Sequence, residues 1–320
     1  MSRWTYAALA IAVLAVPFYL EAFWLQTGLF AMAAAIGAIG LTLLVGVTGQ
    51  LSLAHAFFVA VGAYGYCYLA DDGGLPPVLA LAAAVALAGL AGLAFSPIAG
   101  RVRGIYLGLA SLGLVFLGQH ILLNATAITG GFNGRDATPF AVAGLRFDDG
   151  TMTVFGVPFG QLERLWYLGA LLLVAAAWLA GNIVRGRPGR ALESVRDSEL
   201  AAASMGIDVR RTKAAAFCLS SMYAGLAGAL FALAYGRIVP ESFGFALSIE
   251  FLVMIVLGRL GSIRGAIAGA FFVAALPQVL DHYGDQLAFI GNPGTFSRLL
   301  FGAAIVAAAL FTPRTHTPTL

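Results

Sequence analysis

Few residues in this chain carry the chemistry to make or break bonds. The four histidines (His55, His120, His282, His316) and the two cysteines (Cys67, Cys218) are scattered through it. They form no metal-ligand spacing, no nucleophile and base pattern and no disulfide framework. No Gly-x-x-x-x-Gly-Lys-Ser/Thr loop occurs, so the chain has no phosphate cradle of its own. No catalytic residue, metal or cofactor is therefore expected, and the cysteines read as small buried packing residues. What remains is polar chemistry set in apolar sequence: Gln50, Ser52 and His55 beside Gly49, and Glu250 at the start of a later apolar run. Such groups can line a path for a zwitterion, whose carboxylate and ammonium need partners and whose side chain needs an apolar wall. They can equally bond one helix to another. Ser52 and His55 lie three apart, on one helix face, and near an inner helix end, which favours interhelical bonding. Glu250 reads the same way, pairing first and pathway second.

The elements holding these residues follow from composition. Of the 320 residues, 60% are hydrophobic and only 10% charged. A bilayer core about 30 Å thick takes roughly 20 apolar residues per helix, and such runs recur along the chain. Ten spans are expected near 5–20, 28–47, 52–69, 78–96, 104–123, 166–184, 214–235, 248–258, 265–280 and 296–311. The first reads as an uncleaved helix, because the bulky Pro17-Phe18-Tyr19-Leu20-Glu21 offers no small-residue cleavage site. The fold class is an all-α polytopic membrane protein.

Charge gives the orientation. Arg185, Arg187, Arg190, Arg196, Arg210, Arg211 and Lys213 cluster in one polar stretch, and loops rich in Lys and Arg stay cytoplasmic. Alternation then puts both termini inside, together with Arg101, Arg103, Arg259, Arg264 and Arg314, while Asp71, Asp72, Asp148, Asp149, Asp281 and Asp285 fall outside. A nucleic-acid binder would gather its charge on a folded basic face; here it sits in short loops beside spans. No nucleic-acid partner is expected, and lipid is the surrounding medium.

Two segments outside the spans are long enough to meet other proteins. The outer one, 124–165, is rich in turns, and Met152-Thr153-Val154-Phe155 alternates as a small hairpin would. The inner one, 185–213, is broken at Pro188-Gly189. It then offers a helix capped by Asp197, with Ser198 and Glu199 in its first turn, built on Leu200-Ala201-Ala202-Ala203-Ser204-Met205 and ended by Gly206. A helix of two turns suits a groove on another protein, although a solvated connector has the same composition. Glycines within the spans, including Gly225, Gly228, Gly265 and Gly269, read as close helix packing. A short echo also links Gly46-Val47-Thr48-Gly49-Gln50 to Gly258-Arg259-Leu260-Gly261-Ser262, each followed by an Ala-Phe-Phe-Val-Ala run.

The inner stretch from Arg187-Pro188-Gly189-Arg190-Ala191-Leu192-Glu193 through Arg196-Asp197-Ser198-Glu199-Leu200-Ala201-Ala202 to Gly206-Ile207 resembles the inner loop of permease subunits from branched-chain amino-acid ABC importers, of the LivM type. The likeness continues, in the same order, through Gly49-Gln50-Leu51-Ser52-Leu53-Ala54-His55, Arg103-Gly104-Ile105-Tyr106-Leu107, Thr129-Gly130-Gly131-Phe132-Asn133-Gly134, Pro240-Glu241-Ser242-Phe243-Gly244 and Val256-Leu257-Gly258-Arg259-Leu260-Gly261. It covers most of residues 30–280. The resemblance implies one permease domain over 1–320, not an enzyme, in the bacterial inner membrane. Its partners would be a second permease subunit (a paralogue or a copy), two cytoplasmic ABC ATPase subunits and a periplasmic substrate-binding protein. It implies that 185–213 is the coupling loop, with Glu199, Ala201, Ala202 and Gly206 at the ATPase and Arg190 and Arg196 flanking. The family's Glu-Ala-Ala, three residues, Gly pattern is imperfect here, because Glu199 precedes Gly206 by seven positions. On the outer side, the resemblance makes Asn133, Asp149 and Glu241 candidates for docking the binding protein. Urea or short-amide import on the same architecture is the alternative. A stand-alone secondary transporter or channel would need a buried ion-coupling pair, for which the sequence offers only Glu250.

Overall fold

The computed structural model describes residues 15–102, 104–142, 145–147, 152–154, 157–284 and 302. The expected span at 296–311, and that at 5–20 apart from a helical turn over 15–19, fall outside the described residues. So do Asp148, Asp149 and Asp285. The rest is helical: α1 (Ala22–Leu41), α2 (His55–Ala70), α3 (Pro77–Arg101), α4 (Ile105–Asn124), the short α5 (Thr126–Thr129), α6 (Gln161–Arg185), α7 (Arg187–Asp197), α8 (Glu199–Ser204), α9 (Val209–Tyr235), α10 (Phe245–Leu257) and α11 (Ile263–Gly284). Six of the described helical stretches are long and apolar enough to cross a bilayer, and α2 and α10 are shorter apolar helices. The outer segment folds into antiparallel pairs. β1 (Arg135–Asp136) joins β6 (Arg237–Ile238), β2 (Ala141–Val142) joins β3 (Leu145–Arg146), and β4 (Met152–Val154) joins β5 (Val157–Phe159) in the hairpin its alternation predicts.

The core is built around α1, whose side chains from Leu29 to Leu44 are all buried. Helix α9 lies against α1, α2 and α3, while α6 and α11 cover the remaining sides of α1. Lipid supplies no hydrophobic drive between helices, so close backbone approach must hold them. The glycines provide it. Gly62 of α2 faces the Gly225 backbone of α9, and Gly228 faces the Val59 carbonyl. Gly265 and Gly269 of α11 lie against Gly258 and the Met254 carbonyl of α10, as the packing expectation requires.

Two spans depart from their expected bounds for identifiable reasons. Helix α3 runs past Pro97 to Arg101. The ring removes one N–H, and the Ser96 hydroxyl donates instead to the Leu93 carbonyl at 2.7 Å. Helix α2 begins at His55 rather than at residue 52. Before it, α1 widens into a π-helical stretch over Thr42–Val47, and the Thr48 hydroxyl and Gln50 amide donate to the Leu43 and Leu44 carbonyls at 2.8 and 3.1 Å. The chain then reverses at Gly49, whose φ of +72° favours glycine, and climbs back without helix to residue 54. Gly261, its counterpart in the echo, takes a φ of +81°, and its backbone lies against Gly46.

At the outer end, the Arg135 guanidinium bonds Asp71 at 3.0 Å and Asp72 at 2.6 Å and sits 5.3 Å from the Tyr68 ring centre. Burial opposes its charge, but the bonds to Asp72 and Asp71 prevail and hold its pKa above the ordinary arginine value.

Replacing Gly62 by alanine puts a methyl group into the Gly225 backbone. Overpacking of this kind costs about 1–3 kcal/mol, so Gly62→Ala is expected to lower the detergent Tm by several degrees. Gly113→Ala, at a site open on all sides, is the control and is expected to leave Tm unchanged or slightly raised.

Candidate functional site

The polar residues inside the spans are drawn together by the interruption between α1 and α2. Ser52 belongs to the extended climb, not to α2, so the shared helix face expected for Ser52 and His55 does not form; the π-helical widening and the Gly49 turn displace the helix start by three residues. A helix that starts within the bundle presents N–H groups that water cannot reach. Serines from three elements answer them. The Ser111 hydroxyl of α4 accepts from Leu53 N–H at 2.8 Å, Ser52 accepts from Ala54 N–H at 3.3 Å, and Ser248 of α10 accepts from Ala56 N–H at 3.0 Å. His55 completes the cluster. Its Nε2 lies 2.9 Å from the Gly37 carbonyl of α1, and its ring meets Phe251 edge-on at 4.8 Å. A carbonyl only accepts, so Nε2 carries the proton and His55 bridges two helices. Gly37 is four residues short of Leu41, so at 1.5 Å per residue this bridge sits roughly 6 Å before the regular part of α1 gives way to the π-helical stretch.

Gln50 lies lower, at the turn. It is buried, and neither carboxamide atom meets a hydrogen-bond partner among the described residues. With Thr48, Arg196, Glu199 and Lys213 it lines a cavity of about 70 Å³. Polar lining and this volume admit water, which a buried carboxamide requires.

That cavity joins the spans to the 185–213 loop. The loop is more helical than its sequence suggests. Pro188 opens α7 at its first turn instead of breaking the chain into a connector, since a missing N–H is no loss there. Asp197 ends α7, and Ser198 caps α8, its hydroxyl accepting from Ala201 N–H at 3.2 Å. The cap therefore lies one residue later than expected. Gly206, at φ +83°, ends α8, with Ile207 N–H reaching back to the Ala202 carbonyl.

The candidate loop residues divide by direction. Arg196 turns inward and donates to the Gly46 carbonyl at 3.2 Å, at the end of the π-helical stretch, while its Nε bonds Asp197 at 3.1 Å. Glu199 holds the Lys213 ammonium at 2.6 Å, with the lysine side chain only 5% exposed. Ala202 is fully buried against the bundle, so it cannot itself face a cytoplasmic protein; α8 is short, and its inner side is what docks it. Arg190, Ala201 and Gly206 are exposed, together with Leu200 and Met205 at 81% and 66%. The sequence pointed to Lys213 for orientation and to Leu200 and Met205 as helix formers, not to any of them as part of the site. The signal for the first was a lysine just inside a span, spaced to reach back to an acidic residue.

Asn133 and Glu241 are exposed at the outer end. The Asn133 carbonyl accepts from Arg237 at 2.9 Å, which ties the 130–136 turn to the segment leading to Glu241. Glu250 is the sixth residue of α10 and is exposed on its flank, so among the described residues it pairs into no buried cluster like that of His55.

Loss of one member of a buried ion pair leaves the other charge uncompensated, at a cost of about 3–5 kcal/mol, whereas replacing both costs far less. Glu199→Gln is therefore expected to speed amide hydrogen exchange across residues 199–207. The Glu199→Gln, Lys213→Met double variant is expected to recover most of the protection, and equal exchange in both would show that the pair does not anchor α8.

The model of the branched-chain amino acid transport system permease component family matches residues 24–309. The chain is 31% identical over 319 residues to the high-affinity branched-chain amino acid transport system permease protein LivM of Escherichia coli (strain K12), covering 96% of this chain and 73% of that one. It is 26% identical over 268 residues to the corresponding permease protein BraD of Pseudomonas aeruginosa, covering 79% and 83%. The autoinducer 2 import system permease protein LsrC of Klebsiella pneumoniae is 34% identical over 128 residues, 38% of this chain and 36% of that one. With apolar helices through the matched region, the chain belongs to the branched-chain amino acid transport permease component family.

Proposed function

We propose that this permease subunit carries branched-chain amino acids (leucine, isoleucine, valine) into the cell, with energy from two cytoplasmic ATPase subunits and cargo delivered by a periplasmic binding protein. Ten spans with both termini cytoplasmic, and a second permease subunit across the pathway, complete the proposal. The observation that carries the ATP-driven part is the anchoring of α7 and α8. Their inner sides hold the ends of the spans through Arg196 with Gly46 and Glu199 with Lys213, while Arg190, Leu200 and Met205 face away. A docked ATPase would meet an apolar pair flanked by basic charge, and its movement would reach the Gly46 to Gln50 turn directly.

Glu250 supports a pathway on the exposed flank of α10. A carboxylate in an apolar helix is not left facing lipid, so a second subunit or a water-filled passage would cover it. Tyr235 is exposed as well, its ring packed 4.5 Å from Phe30 and 6.2 Å from Phe231. A carboxylate and an aromatic wall would together match the ammonium and side chain of an apolar amino acid. The partial match to an autoinducer permease indicates that related scaffolds take other cargo, so selectivity is assigned to the binding protein.

Affinity purification of the tagged chain is expected to recover two ATPase subunits and a second permease; a pure species competent for transport alone would overturn the ATP-driven assignment. Leu200→Asp with Met205→Asp is expected to lose the ATPases while inserting normally. In the assembled importer, Glu250→Gln is expected to lower leucine uptake about 10- to 100-fold, the scale of losing a hydrogen bond to a charged group worth roughly 1.5–3 kcal/mol. Unchanged uptake would remove Glu250 from the pathway.

A further inference from the structure

The basic residues that do not turn toward the inner cavity gather elsewhere. Arg101 ends α3, Arg210 and Arg211 begin α9, and the three line a pocket of about 360 Å³ with Ser96, Pro97 and Ala214. No acidic residue is among its lining residues. Among the described residues the counter-charge is Asp208, which holds Arg211 at 3.1 Å while also capping α9 through Arg211 N–H. Two arginines in the first turn of a helix are electrostatically misplaced, because that end already carries partial positive charge. An anion in the pocket would relieve both.

The pocket continues along the same seam. Arg211 and Ala214 also border an apolar groove of about 430 Å³, formed by Leu93, Ala215, Cys218 and Met222 between α3 and α9. The neighbouring face of α3 exposes Leu87, Leu90, Leu93 and Ile98, as a helix facing lipid does. A cationic pocket at the end of two spans, opening into an apolar groove that runs along them, has the polarity of a phospholipid.

We infer that the seam between α3 and α9 is a binding site for an anionic phospholipid, its headgroup phosphate held by Arg101, Arg210 and Arg211 and one acyl chain lying along Leu93, Cys218 and Met222. The site requires only that α3 and α9 span the bilayer, and it is independent of cargo and of the ATPase contact. Its arginines set lipid preference at the interface as well as orientation. Basic residues beside spans are drawn to an anionic leaflet at about fivefold per charge.

The test uses the intact chain, purified in mild detergent and offered phosphatidylglycerol, phosphatidylcholine or inorganic phosphate, with retained molecules counted by native mass spectrometry. Wild type is expected to retain phosphatidylglycerol over phosphatidylcholine. The triple variant Arg101→Gln, Arg210→Gln, Arg211→Gln is expected to lose that preference and to retain the two lipids equally. Ala215→Trp, an exposed position on the groove wall, is expected to weaken phospholipid retention with all three arginines present. Both variants are first shown to insert and to elute as wild type does, which separates loss of lipid from loss of fold. Equal retention of the two lipids by wild type, or indifference to both variants, would leave the arginines with orientation alone and overturn the site. Retention of inorganic phosphate that competes with lipid and ignores Ala215→Trp would make it a phosphate site, and cross-linking of position 210 to another subunit in the assembled importer would make it a protein interface.

Discussion

A backbone that leaves its helix inside a membrane has only protein to bond with, and this one constraint organises the bundle. Between Val47 and His55 the chain stops, turns and restarts. Each amide freed by the interruption must find an acceptor from a neighbour. Ser111 from α4 and Ser248 from α10 are fixed in place by that demand, and His55 locks the restarted helix to α1. Four spans thereby converge on one non-helical stretch, and the glycines of α2 and α9 close around it. The cost of irregular backbone in lipid is offset by a polar cluster that exists nowhere else in the described core.

The same interruption ties the spans to the 185–213 loop. A continuous helix would end in solvent with its last carbonyls hydrated. Here the π-helical end is closed by an arginine from α7, and the turn after it packs at Gly49 against the stem of that same side chain. Movement of α7 and α8 would thus reach a segment whose α-helical hydrogen-bond ladder has already given way to a π-helical turn. Such a segment can change conformation without first breaking an α-helical ladder.

Much of this was legible in the residues. Apolar runs located the eight apolar helices among the described residues, the small residues located the tight faces, and the ordered motifs from Gly49 to Gly261 pointed to the family. Helix ends were less legible, because the residues that decide them sit elsewhere in the chain. Nothing near Ser52 announces that Ser111 and Ser248 will take the amides of the next residues, so its own sequence reads as helix. Pro188 was ambiguous for a local reason: proline breaks a helix in the middle and starts one at the first turn. The inward side of α8 was hidden altogether. Alanines carry no direction, and only the fold distinguishes buried Ala202 from exposed Ala201.

The contact between Gly46 and Gly261 has a consequence for how the two halves of the chain move. Side chains transmit force poorly, since a rotamer can swing aside before its neighbour responds. At this point no side chain intervenes, and main chain rests on main chain. The turn below α1 and the turn below α11 therefore behave as a bearing with no play. A tilt imposed on one turn is passed to the other through main-chain contact, and a methyl group on Gly46, which would meet the Gly261 backbone, would force the two apart.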